Sequence, residues 1–64
     1  MNWRDYIISD KGVLLGKPVI KGTRISVELL LDLLSSGWSG QQILDAYPTI
    51  SAEAIRAVFA YLKD

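Results

Sequence analysis

The hydrophobic pattern changes period once, at Ser26, and that change limits what the chain can become. Before it, apolar residues come in runs of two or three: Tyr6-Ile7-Ile8, Val13-Leu14-Leu15 and Val19-Ile20. Each run is closed by a turn signal, Asp10-Lys11-Gly12, Gly16-Lys17-Pro18 or Lys21-Gly22. Runs this short, rich in β-branched residues and bounded by glycine and proline, predict brief strands. Such strands need pairing, within the chain or with a partner. After Ser26 the apolar spacing becomes helical.

Ser26 is a good N-cap, with Val27 to Ser36 as the helix body, Glu28 in the first turn and Gly37 as the residue that ends it. Glu28, Asp32 and Ser35 form a narrow polar stripe and leucine covers most of the rest, so this helix is buried on several sides. Trp38 is expected to pack over its end. Ser39 opens a second helix with Gln42 completing a capping box, and Pro48 stops it after Tyr47. Ser51 caps a third helix running to about Lys63, with Ile55, Val58, Phe59 and Leu62 as its apolar stripe, widened by Ala54, Ala57 and Tyr61. The predicted fold is mainly α: a single domain, 1–64, with a short N-terminal β-ribbon arm (1–25) followed by a three-helix, helix-turn-helix-like bundle (26–64).

The stretch Gly16-Lys17-Pro18-Val19-Ile20-Lys21-Gly22-Thr23-Arg24-Ile25 invites two readings, a phosphate cradle or a structural turn. A phosphate loop needs two glycines with four residues between them, then lysine and a hydroxyl residue at the mouth of a helix. Here five residues separate the glycines and Gly22 is followed directly by Thr23. The cation that would anchor a phosphate is missing, so nucleotide binding is rejected. Pro18 biases Lys17 toward extended geometry and Gly22 permits a sharp reversal, which suits a ribbon delivering the chain to its first helix.

Composition narrows the chemistry. Of 64 residues half are hydrophobic, none is cysteine and none is histidine. A domain this small buries only about 60% of its unfolded surface, and it has no disulfide or zinc to help. Surplus apolar surface then points to oligomerisation, with a second copy or with another protein, and a homodimer or higher oligomer is expected. Nothing resembles a signal peptide, and the apolar run Val27–Leu34 is interrupted by Glu28 and Asp32, so no membrane span is expected and a cytoplasmic location is. Without histidine or cysteine, catalysis would fall to carboxylates, lysine, tyrosine or serine. The one close acidic pair, Glu28 and Asp32, has the spacing of a solvated helix stripe. The expectation is a non-enzyme with no cofactor, metal or small-molecule substrate.

Net charge is zero but divided: residues 1–25 carry +3 and residues 26–64 carry −3. The candidate DNA-binding residues are Lys17, Lys21 and Arg24 on the ribbon, with Arg56 near the start of the last helix. One arginine beside Glu53 is a poor reader of bases, so the ribbon is preferred to the helix. The candidate dimer or partner interface is Trp3, Tyr6, Ala57, Ala60 and Tyr61, chosen for aromatic surface near the terminus and for small residues on the last helix.

The run from Gly16 to Val27 resembles the signature of the bacterial family known as domain of unknown function 433. The likeness continues through Gly37-Trp38-Ser39 and Ile43-Leu44-Asp45-Ala46-Tyr47-Pro48 to Ser51 and Ile55. The resemblance implies a small antitoxin-like protein with a homeodomain-like three-helix domain, encoded beside a PIN-related nuclease toxin that it neutralises by docking, and able to autoregulate its promoter. No extension beyond that core is expected, and if family members neutralise their partner through such a tail, this chain is expected to bind differently. Two alternatives stand beside this reading: a DNA-binding regulator without a toxin, and a homo-oligomeric interaction module.

Overall fold

Gly22, at φ +80°, turns the chain back on itself between Ile20 and Ile25. The computed structural model describes all 64 residues and shows what that turn is for. The Ile20 N–H donates to the Ile25 carbonyl at 2.9 Å, and the Thr23 hydroxyl donates to the Ile20 carbonyl at 2.8 Å. The same hydroxyl accepts from the Ile25 N–H at 3.0 Å. One side chain therefore closes both ends of the turn. Strand β2 (Val19–Ile20) pairs antiparallel with β1 (Ile7–Ile8), Ile7 facing Ile20 and Ile8 facing Val19. On its other side Val19 bridges to Ser26, and the Val27 N–H donates to the Pro18 carbonyl at 3.0 Å. The ribbon thus pairs within the chain, and its hydrogen bonds run across the 25/26 boundary into the first helix.

Three helices follow, α1 (Val27–Ser35), α2 (Gly40–Ala46) and α3 (Ala52–Lys63). Each starts where its serine dictates. Ser26, Ser39 and Ser51 hold extended backbone and accept from the N–H groups of Leu29, Gln42 and Ala54, satisfying donors that a helix start leaves free. Gln42 returns the bond to the Ser39 N–H at 2.8 Å, completing the capping box. α1 ends in a Schellman motif: Gly37, at φ +97°, donates to the Leu34 carbonyl and Trp38 to the Leu33 carbonyl. Trp38 itself stays more than a third exposed, so its indole covers less than the sequence suggests.

The core lies between ribbon and helices. Ile7 and Ile20 from the ribbon meet Val27 and Leu30 of α1, Ile43 of α2, and Ala57 and Val58 of α3. Leu30, Ile43, Val19 and Val58 are the largest fully buried side chains. No side-chain nitrogen or oxygen is buried without a hydrogen bond.

Two expectations fail. Val13-Leu14-Leu15 is not a strand: Leu14–Gly16 form a 3-10 turn in which Leu14, Leu15 and Gly16 all have positive φ, 49°, 58° and 85°. Only the ends of the segment between Ile8 and Val19 can pair, so its middle must reverse direction. Left-handed leucine costs about 1–2 kcal/mol, and Leu15 recovers little of that by burial, being 95% exposed. The second failure is the facing of α3. Its buried side is Ala54, Ile55, Ala57 and Val58, whereas Phe59 and Leu62 are about half exposed at 48% and 53%. The helix is rotated so that its alanines, which allow close approach, face the core.

Thr23→Val removes the hydroxyl from a turn whose Ile25 N–H has no other partner among the hydrogen bonds of the structure. We expect urea denaturation to show a loss of about 1–3 kcal/mol, with Thr23→Ser losing under about 1. Leu15→Gly relieves a strained, solvated position and should raise stability by about 1 kcal/mol in the same assay; a decrease would mean that the leucine packs against something after all.

Candidate functional site

The four candidate cations fall into two electrostatic classes. Lys17 precedes β2, and its ammonium lies 3.6 Å from Glu28 at the start of α1. Arg56 reaches Glu53 one turn earlier on α3, at 3.3 Å. Both pairs are largely solvated, so each contributes under about 1 kcal/mol, yet each cation already has an acidic neighbour. Lys21 and Arg24 have none. They flank the Gly22-Thr23 turn, both exposed, and their backbone is fixed: the Lys21 N–H donates to the Tyr6 carbonyl at 2.8 Å, and Arg24 sits between Thr23 and Ile25, which share the hydroxyl bond. The structure therefore gathers two of the four candidates on one rigid tip and places Lys17 at the other end of β2 and Arg56 on a different element.

The aromatic candidates are occupied within the chain. Trp3 sits in a 3-10 turn (Trp3–Asp5) that Asn2 caps by accepting from the Arg4 N–H. Its ring meets Tyr61 edge to face, centroids 4.8 Å apart at 88°, a favoured geometry for aromatic pairs. The Trp3 indole N–H donates to Asp64 Oδ2 at 2.7 Å, and Arg4 lies 3.4 Å from the same oxygen with its guanidinium 4.4 Å over the indole. The N-terminal turn is thereby fastened to the end of α3. Tyr6 is half-buried against the core. Ala57, expected at an interface, is fully buried and offers nothing to a partner; Ala60 is half-buried on the rim.

What the candidate list lacked is the apolar surface that remains open. Phe59 and Leu62 project from α3, and Met1, 66% exposed, shares a shallow cleft with Ala60 and Lys63. Phe59 and Leu62 fit the core periodicity and so look like interior residues in the sequence. A second surface, a groove of about 330 Å³, has Pro18, Val27, Leu31 and Tyr61 as its apolar lining and Glu28 and Asp32 as its carboxylates. No helix is long and apolar enough to cross a membrane.

Comparison with known proteins gives a consistent picture. The family described as "Protein of unknown function (DUF433)" matches residues 7–62. The uncharacterized protein y4eO of Sinorhizobium fredii is 34% identical over 60 residues, which cover 94% of this chain and 27% of that protein. The crystal structure of a DUF433 member protein from Anabaena variabilis superposes with a TM-score of 0.87 at 30% identity, over 94% of this chain and 59% of the other. The chain thus spans about a quarter of the length of the first and under two thirds of the second. With a short antiparallel ribbon leading into three helices and a match across nearly its whole length, the chain belongs to the DUF433 family.

Proposed function

We propose that the chain is a non-enzymatic, antitoxin-like protein acting as a cytoplasmic homodimer. It neutralises a PIN-like nuclease toxin by docking and represses its own promoter through the ribbon turn. The observation that carries the DNA-binding half is the fixed tip bearing Lys21 and Arg24, two exposed cations without acidic neighbours on a backbone held by five hydrogen bonds. A preordered cationic tip loses little entropy on meeting phosphate, and a dimer presents it twice. The docking half is supported by the resemblance of the Gly16–Val27 run and by the apolar surface left open on α3. Docking needs buried area and shape rather than chemistry, which agrees with a chain lacking histidine and cysteine.

The toxin arm is tested by co-expressing the chain with the protein encoded beside it. Near-stoichiometric co-purification that withstands salt, together with loss of nuclease activity, is the expected result; independent elution of the two proteins contradicts it. For the DNA arm, we expect the Lys17, Lys21 and Arg24 triple alanine variant to abolish a promoter gel shift. The Lys21 and Arg24 double variant should lower the salt dependence of binding by about 0.9 in log K against log salt for each phosphate it no longer neutralises. Unchanged affinity in the triple variant would remove the ribbon from the reading.

A further inference from the structure

We infer that Leu15 is an interaction knob and that its socket is the groove beside α1 on a second copy of this chain. The two copies are related by a two-fold axis that passes between Lys17 and Glu28. The inference rests on the homodimer proposed above and deepens it; it does not depend on the toxin or the promoter.

Three observations carry it. The first is a strained projection. Leu14 and Leu15 hold left-handed backbone, at φ 49° and 58°, and Leu15 is 95% exposed. Left-handed residues other than glycine cost free energy and cluster where a chain meets a ligand. The second is a socket of matching kind, the groove of about 330 Å³ with apolar walls and the carboxylates of Glu28 and Asp32. It exceeds the roughly 150 Å³ of a cavity made by cutting a buried leucine short. At about 100° per residue, Val27, Leu31, Glu28 and Asp32 fall within one arc of roughly 140° on α1, so apolar wall and acidic rim lie side by side. The third is the order of these features across the surface. Leu15 and Lys17 border one hollow, the Lys17 ammonium lies 3.6 Å from Glu28, and Glu28 stands on the groove. Knob, cation, carboxylate and socket follow one another in that sequence.

A two-fold axis lying in the interface maps each half of that row onto the other. Leu15 then faces the partner's groove while Lys17 faces the partner's Glu28, and both reciprocal contacts form at once. The pair within each chain persists, because an ammonium has three donors and a carboxylate about four acceptor sites. Two lysines and two glutamates alternate around the axis. Asp32, whose carboxylate pairs with no cation of its own chain, adds to the attraction for the partner's Lys17. Lys21 and Arg24, at the other end of β2, stay outside the seam, so the dimer presents two cationic tips. One loop and part of a nine-residue helix make a face smaller than the roughly 1,200–2,000 Å² of a stable complex. The dimer is therefore concentration-dependent.

Sedimentation equilibrium on the full chain over about 1–500 μM tests this, a range chosen to bracket micromolar association. The wild type is expected to double its mass across the range. Leu15→Gly and Leu15→Asn, both residues that tolerate left-handed backbone, should keep the wild-type circular dichroism spectrum. Each should weaken association at least about 10-fold, since every dimer loses two buried leucines. Measured as monomers, Leu15→Gly should unfold at higher urea than the wild type, so one substitution stabilises the chain and weakens the dimer. Lys17→Glu and Glu28→Lys each set like charges across the axis and should each remain monomeric. An equimolar mixture of these two should regain association, because the altered side chains then face opposite charges. The pair within each chain is repulsive in all three samples, so the recovery reads contact between chains alone. A wild type that stays monomeric overturns both the homodimer and the knob. A dimer that either Leu15 variant leaves undiminished, or a mixture no heavier than its components, overturns the knob and leaves dimerisation elsewhere intact.

Discussion

Two residues, Val19 and Ile20, hold the ribbon to the helices. Their strand is hydrogen-bonded on both sides, to β1 on one and to the Ile25–Val27 segment on the other. Both side chains are buried. A two-stranded ribbon is marginal by itself in water; here a third stretch of backbone flanks it and its inner face becomes part of the helical core. The chain has no disulfide and no histidine with which to build a metal staple, and this junction joins its ribbon to its helices. The glycine-rich stretch that resembles a phosphate cradle is therefore an architectural part: Pro18 and Gly22 shape the strand and turn, and Thr23 closes them.

Much of this is legible in the sequence where the chemistry is local. Ser26, Ser39 and Ser51 predict three helix starts because a hydroxyl at that position satisfies N–H groups two or three residues on, whatever surrounds it. Gln42 and Gly37 work in the same way, through the capping box and the left-handed helix end. The short strands at Ile7-Ile8 and Val19-Ile20 follow from their turn boundaries. Val13-Leu14-Leu15 misleads because its composition suits a strand while its position, midway between two pairing ends, demands a reversal. Local composition does not register that demand.

The facing of α3 is the more instructive miss. Ile55, Val58, Phe59 and Leu62 share one helical stripe, and so do Ala54, Ala57, Val58 and Tyr61, so periodicity alone permits either rotation. The packing of Ile7, Leu30 and Ile43 against the helix selects the alanine side, because small residues let the elements close without voids. The same choice turns Phe59 outward, converting an expected core residue into exposed surface. Among the cations, number and rough placement are readable but pairing is not. Lys17 meets Glu28 through the ribbon fold, which leaves Lys21 and Arg24 as the members of the candidate set without acidic neighbours.

Whether ribbon and helices form one cooperative unit is the claim on which the rest stands, and amide hydrogen exchange measures it most directly. The Lys21 N–H bonds to Tyr6 and the Val27 N–H to Pro18, both acceptors outside any helix. If the junction is as described, these two amides open only with the whole molecule, giving the same exchange free energy as amides in the interior of α3. Exchange of Lys21 and Val27 at the rate of a frayed terminus, with α3 still protected, would show the ribbon to be a detachable arm and would contradict the account.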